Sequence, residues 1–393
     1  LTGHKWDIAT LHCSFGGMGI TSAVKTAHQA HYGSWAAAWS NIKKMFPAAL
    51  PIGTHSLDTC PLPFALGLRC AYDHVKATCD QVVAAVANNA PMPPPAPKSP
   101  AVPAPTELHT RQPKAQKRFA VTVQAGRWLQ RFGEADNAHR AIMLSACQQG
   151  ANFAFGAVPG SRYSTLGPVD FITASQLRLR LPLSILRGIR RCVCGAPSDE
   201  CGDHLLSCIC FVETRKPWHN LIQHSASYMA RRAVHHITHD ERTPRARAAA
   251  RTYSPNYTPD FTCHHSSDAG THLIVDVTTT STVQFGMLNA AASRPGVVAE
   301  AAKATKLQLY GDVRPHVMLP FVVETGGALG ADAMGFFKRC RKKVCNELDE
   351  ESTWSSRGFS NFHLQSISVA NLQGQGNFFS RAAGILRGRG GGF

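Results

Sequence analysis

The chain has 393 residues, 44% of them hydrophobic, with a formal net charge of +16 and a pI near 9.5. That apolar fraction excludes a wholly disordered chain and allows two or three packed domains, while the excess of Lys and Arg points to a polyanionic partner. No apolar run reaches the ~18 residues that span a bilayer, and the start lacks the charged, apolar and small-residue series of a signal peptide, so no membrane partner is expected. The first residue is Leu1, as in a piece of a longer product.

Residues 1–90 pattern as helices, with Ala, Trp and Leu at helical steps from Ala23 to Phe46 and from Phe64 to Val86. Residues 91–118 form a linker: the Pro/Ala run from Pro91 to Pro105 is extended and cannot pack a core, and Arg111 to Arg118 is basic. Helical patterning resumes over 119–191 and closes on Leu177-Arg178-Leu179-Arg180-Leu181-Pro182, a basic, apolar lead-in to a cysteine cluster over 192–210. Beyond it, Trp218, Leu221, Ile222, Met229, Ala233 and Ile237 recur at three- and four-residue steps. They predict one amphipathic helix with Arg231, Arg232, His235 and His236 crowding its end. Arg242 to Arg251 predicts a basic loop. The period then changes, and Tyr257 to Cys263, His272 to Thr280 and Val317 to Glu324 predict strands, with a helix from Val297 to Tyr310 between the last two. This order predicts an α/β or α+β domain around a small mixed sheet flanked by helices over 211–345, and the chain as a whole, with a helical N-terminal region preceding the cysteine cluster, reads as α+β. Residues 346–393 read as a C-terminal helix and a Gly/Arg-rich tail, with Arg381 to Phe393 expected to lack fixed structure.

Cys192, Cys194, Cys201, Cys208 and Cys210 crowd together among Gly, Asp and His, a spacing that favours metal binding over disulfides. Zinc takes four N or S donors in a tetrahedron, and a short segment supplies them from tight turns. Cys192, Cys194, His204 and Cys208 make such a set, with Gly195 and Gly202 beside two of the ligands. Cys201 is an alternative to Cys192. Four protein ligands close the site, so its Zn²⁺ is structural.

Cutting a phosphodiester requires charge stabilisation on the attacking and leaving oxygens, which Mg²⁺ or Mn²⁺ held by convergent carboxylates supplies. Asp260 and Asp276 sit on neighbouring predicted strands, and Asp276 lies inside the apolar run Leu273-Ile274-Val275-Asp276-Val277, where an unpaired carboxylate is costly. In many nucleases a lysine follows the second acid by two residues, but Thr278 occupies that position. Glu300, Lys303 and Lys306 offer a polar stripe spanning about 120° on the next helix and are expected to face the same site. Glu241 is a further upstream acid, and Glu324 either orients the site or caps its strand. Arg215, His219, Arg231 and Arg232 are the expected nucleic-acid contacts.

Taken in order, these pieces resemble the C-terminal part of non-LTR retrotransposon polyproteins that carry a restriction-like endonuclease. The resemblance runs from Cys192 to Asn377. It rests on Leu179-Arg180-Leu181-Pro182, Cys-x-Cys-Gly, Gly-Asp-His-x-Leu-x-Cys, and Arg215 with His219-Asn220. It continues through Pro259-Asp260, Val275-Asp276-Val277-Thr278, Ala299-Glu300 with Lys303 and Lys306, and Phe321 with Glu324-Thr325 and Gly327, and ends on Gln365-Ser366-Ile367 with Asn377. Gly16-Gly17-Met18-Gly19-Ile20 is similar to the segment after the reverse transcriptase palm, which makes the first region thumb-like.

The resemblance implies a metal-dependent nick in target DNA that primes reverse transcription in the nucleus. Asp260 and Asp276 would be the metal ligands and Lys303 or Lys306 the catalytic lysine. The partners would be DNA, the element's RNA and the polymerase portion of the same polyprotein. The sequence departs from the family in its partial Arg-x-x-Arg-His-Asn stretch and in Leu307 where a tyrosine often stands, with Tyr310 three residues on. The alternative is a catalytically dead, nucleic-acid-binding remnant of such an element.

Overall fold

A computed structural model describes residues 3–20, 22–45, 63–88, 90–92, 102, 115–157, 160–161, 164–233, 236–238, 259–264, 272–311, 316–348 and 358–390. The chain divides into two compact units, Leu1–Ala135 and Asp136–Phe393. The first is helical: α1 (Gly3–Ala9), α2 (Ala23–Met45), α3 (Pro63–Ala87) and α4 (Ala115–Glu134). Tyr32 and Ala36 from α2, Leu68, Ala71 and Val75 from α3, and Phe119 and Val123 from α4 share one core. The α4 helix therefore belongs with the first unit, and the expected 119–191 segment is divided at Ala135. Its apolar stripe is what completes the core of α2 and α3. The expected linker lies for the most part outside the described residues.

The second unit contains α5 (Asn137–Ala146), α6 (Pro168–Arg178), α7 (Asp203–Ser207), α8 (Val212–Arg232), β1 (His236–Thr238), β2 (Phe261–His264), β3 (His272–Thr280), α9 (Val297–Tyr310), β4 (Val317–Glu324), α10 (Ala331–Leu348) and α11 (Phe359–Gly390). The sheet has the order β1-β2-β3-β4, antiparallel except for the parallel β3–β4 pair. A parallel pair needs a crossover connection, and α9 supplies it. Pro320 stands opposite Asp276 on β4, an edge strand, where a residue without an N–H is tolerated. Mostly helix around one small mixed sheet, the unit is α+β.

Side-chain alternation along β3 gives its two faces different work. Val275 and Val277 join Phe261, Cys263, Leu319, Phe321 and Val323 in the main core, with Trp218, Ile222 and Met229 of α8. Ile274 turns to the other face and packs with Tyr310 of α9. Asp276, two residues beyond Ile274, shares that face.

Two expectations are corrected here. The amphipathic helix stops at Arg232, and Ile237 reaches the core from strand β1, paired with Cys263. Sheet pairing satisfies its backbone as well as a longer helix would. The C-terminal segment is one helix of 32 residues that continues to Gly390, not a structureless tail from Arg381. Its Phe378, Phe379, Ala382, Ala383 and Leu386 are buried in the main core, and this tertiary burial overrides the weak helical propensity of its glycines. At Gly374 the helix passes so close to α8 that a Cβ would collide with the Trp218 ring.

Candidate functional site

The cysteine cluster is built by turns. The Cys192 N–H donates to Ala196 O at 2.9 Å and the Gly195 N–H to Cys192 O at 2.9 Å, which doubles the chain back and presents Cys192 and Cys194 together. The Asp199 carboxylate accepts from the N–H groups of Asp203 and His204, starting α7 and aiming His204 at the pair. Gly202 before it has φ +78°, and a Cβ there would strike the Phe379 ring, so both conformation and space call for glycine. The donor atoms of Cys192, Cys194, His204 and Cys208 all lie within 4.8 Å of one another. Sγ of Cys192 is 3.6 Å from Sγ of Cys208, and Sγ of Cys194 is 3.2 Å from Nε2 of His204. Cys201, the alternative to Cys192, is not in this group. Hydrogen bonding from the Ala196 N–H and then the Cys192 thiol brings the Cys194 thiol down to about 7, towards the thiolate form that binds metal.

Two arginines brace this cluster. Arg215 donates to the carbonyls of Leu206 and Cys208 at 2.7 and 3.0 Å. Arg180 grips the Asp203 carboxylate with two bonds at 2.7 and 2.8 Å. Arg215 was expected at nucleic acid; its guanidinium is instead turned inward onto the Leu206 carbonyl in the last turn of α7 and the Cys208 carbonyl, which also accepts from the Phe211 N–H.

A second cluster forms where α8, β2 and β3 meet. Asp260 directly precedes β2: its N–H donates to Val275 O at 3.0 Å, and its Oδ2 accepts from the Val277 N–H at 2.6 Å. The carboxylate thus carries the ladder one step past the end of the strand. Gln223 of α8 donates to Asp260 O at 3.0 Å, and one turn earlier His219 Nε2 lies 3.1 Å from Asp260 Oδ2 and 3.0 Å from Val277 O. Asp276 is 6% exposed and meets Lys306 Nζ at 2.8 Å. Donor atoms of His219, Asp260 and Asp276 all lie within 4.8 Å of one another.

Electrostatics tie these groups together. Burial, then the neighbouring Asp260 charge, pushes Asp276 up to about 6, against the pull of Lys306. Burial lowers His219, but its bond to Asp260 outweighs this and the imidazole is raised to about 9. At neutral pH His219 is therefore a cation donating to Asp260.

The other expected residues are distributed as follows. Lys303 pairs with Asp332 of α10 at 2.8 Å, and Glu300 with Arg294 at 2.8 Å. Only Lys306 of the α9 stripe reaches the acids, because each step of three residues turns about 60° away from it, towards α10 and then solvent. Glu324 is buried and accepts from the Ala299 N–H at 3.2 Å, capping the start of α9. Arg231 and Arg232 are exposed at the end of α8. Glu241 lies outside the described residues. His219, expected at nucleic acid, stands instead among the acids; its place beside buried Trp218 and Ile222, one turn before Gln223, was the available signal.

Neither a protein-family model nor a curated protein matches the sequence. What the two clusters can do follows from their donor atoms. Three sulfurs and an imidazole form a closed set for a borderline-soft ion. Two buried carboxylates beside an ammonium and an imidazole offer oxygen donors of the kind a hard cation takes.

Proposed function

We propose that this protein is the metal-dependent DNA endonuclease region of a retroelement polyprotein, of restriction-like type, nicking target DNA to prime reverse transcription. The observation that carries this reading is the convergence of Asp260, Asp276 and Lys306 from a strand lead-in, a strand and a crossover helix. Their identities match the expected acid–acid–lysine set, with the lysine drawn from α9 because Thr278 fills the strand position.

The donor set fits Mg²⁺ or Mn²⁺. Asp276 is desolvated beside a second carboxylate, an arrangement that a cation relieves. When bound, such an ion supplies charge stabilisation on the attacking and leaving oxygens of the phosphodiester. The chain's own residues do the rest. His219 and the Val277 N–H fix one oxygen of Asp260, leaving its carboxylate a single orientation. Lys306 brings positive charge beside Asp276, where a scissile phosphate would be attracted. Hydrolysis adds water across one P–O bond, with hydroxide to phosphorus and the proton to the departing oxygen. Cys192, Cys194, His204 and Cys208 would hold Zn²⁺ as a structural clip packed against α8 and α11.

A nicking assay on supercoiled DNA with Mg²⁺ or Mn²⁺ tests this reading. Wild type is expected to relax the plasmid and Asp276→Ala to leave it intact. Cleavage unchanged by that substitution ends the assignment. DNA binding by wild type with no cleavage in either metal supports the catalytically dead remnant instead.

A further inference from the structure

The arginines and the histidine expected to touch nucleic acid are partly turned inward, yet α10 carries a stronger cationic surface. Lys338, Arg339, Arg341, Lys342 and Lys343 fall within six consecutive residues, and no carboxylate occurs between Ala333 and Asn346. At about 100° per residue these five side chains cover roughly 200° of the helix. Phe336, Phe337, Cys340 and Val344 occupy the opposite arc and are at most 2% exposed. The buried arc is fastened into the main core with Phe321 and Val323 of β4, so the basic arc has a fixed direction. Lys338, Arg339, Arg341 and Lys342 are exposed and Lys343 half-buried. Arg339 lies over the Phe336 ring at 5.9 Å. Lys338, Lys342 and Lys343 have no acidic partner among the described residues.

We propose that this face of α10 is a docking surface for the phosphate backbone of duplex DNA. The claim rests on the Asp260–Asp276 site being a DNA-cutting one, and it names the surface that holds the substrate there. Three observations favour the occupant. The face is cationic on a chain whose net charge is +16, and duplex DNA, with one charge per ~1.7 Å of axis, is its complement. Single-strand binders add exposed aromatic rings on which bases stack, whereas Phe336 and Phe337 are buried. Finally, the face is linked to the acids through a short path. Asp332, at the start of α10, holds Lys303, and Lys306 one turn along α9 holds Asp276. Lys338 is only ~9 Å along α10 from Asp332, well inside one duplex turn of ~34 Å. A helical conformation with Cys340 buried also removes the run from the extended form in which a peptide-binding receptor would read it.

The test is fluorescence anisotropy of a labelled 30-bp duplex with the full chain, its zinc retained and no Mg²⁺ or Mn²⁺ added, over a series of KCl concentrations. The triple variant Lys338→Gln, Lys342→Gln, Lys343→Gln is compared with wild type. Each lost phosphate contact lowers the slope of log K against log salt by about 0.9, so three contacts lower it by up to ~2.7. The expected result is that fall in slope, with at least tenfold weaker binding and an unchanged melting temperature. An unchanged slope overturns the proposal. So does a greater loss for a single strand, or for phosphatidylserine vesicles, than for the duplex. Asp276→Ala is measured alongside: it is expected to bind like wild type without nicking. If that variant still nicks while the triple variant loses its slope, the docking surface stands and the catalytic reading falls.

Discussion

The Lys306 ammonium of α9 lies 2.8 Å from the Asp276 carboxylate of β3, and it is the cation that opposes burial in setting the charge state of that acid. Replacing Lys306 with Met should therefore raise Asp276 further and move the acid limb of the nicking pH–rate profile to higher pH. A loss of about 10²-fold in rate is expected, the usual scale for removing a group that stabilises developing charge. Lys303→Met, which breaks a half-exposed pair with Asp332, should cost less than ~1 kcal/mol of stability and leave the pH profile in place. The two profiles side by side decide which lysine serves the site.

Asp276 also gives a stability signature in metal-free buffer. Its folded value near 6 lies above the unfolded 3.8, so the folded state holds the extra proton between them and stability falls as pH rises through that window. Asp276→Asn should stabilise the protein at pH 7 by up to about 3 kcal/mol. The gain should vanish by about pH 3, below the unfolded 3.8, where the acid is mostly neutral in both states. Urea unfolding at the two pH values checks the sign.

For the cysteine cluster the expected metal content is one equivalent per chain. Ser substitution at Cys192, Cys194 or Cys208, or Ala at His204, should abolish it, and Cys201→Ser should retain it. A structural zinc contributes on the order of 10 kcal/mol, so the ligand variants are expected to lose the fold around α7. Elemental analysis together with the visible spectrum of the Co²⁺-substituted protein reads both outcomes.

A fourth expectation concerns His363 on α11, packed against Phe359 and Tyr228 and 1% exposed. Burial, then the Arg232 charge, pushes its imidazole down to about 3. A folded value below the unfolded 6.5 means stability is present above pH 6.5 and is lost as pH falls toward 3. At about 1.4 kcal/mol per unit, roughly 2 kcal/mol should be gone by pH 5. His363→Leu should flatten that dependence, as followed by thermal melts from pH 7.5 to 4.5.

Local patterns were enough for β3, β4 and α9: His272–Thr280, Val317–Glu324 and Val297–Tyr310 coincide with the expected bounds. The β-branched runs and the change of period are written in those residues themselves. The acids Asp260 and Asp276 meet because the strands carrying them pair, which their positions implied. Other features depend on what packs against what. The α9 stripe gave the angle between Glu300, Lys303 and Lys306 but not the neighbour each would find. Ile237 continued the spacing of α8, yet its backbone pairs with Cys263, a partner across a long excursion of chain. In α11, Gly384 and Gly388 suggest a loose tail, and only the buried Phe378, Phe379 and Leu386 reveal a docked helix. His219 looked like a surface residue in a nucleic-acid motif until Asp260 was placed beside it.

The position of α11 sets an order of events during synthesis. The main core receives Phe211 and Trp218 early and β4 later, but Phe378 and Phe379 that close against them are made last. At ~5–20 residues per second, the ribosome needs several seconds to travel from Glu324 to the end of α11. Throughout that interval the sheet and α8 stand with one apolar wall open to solvent and to chaperones. A nonsense codon ahead of Phe359 would make that exposure permanent, so truncated copies of this unit should be cleared or aggregate instead of accumulating as folded competitors.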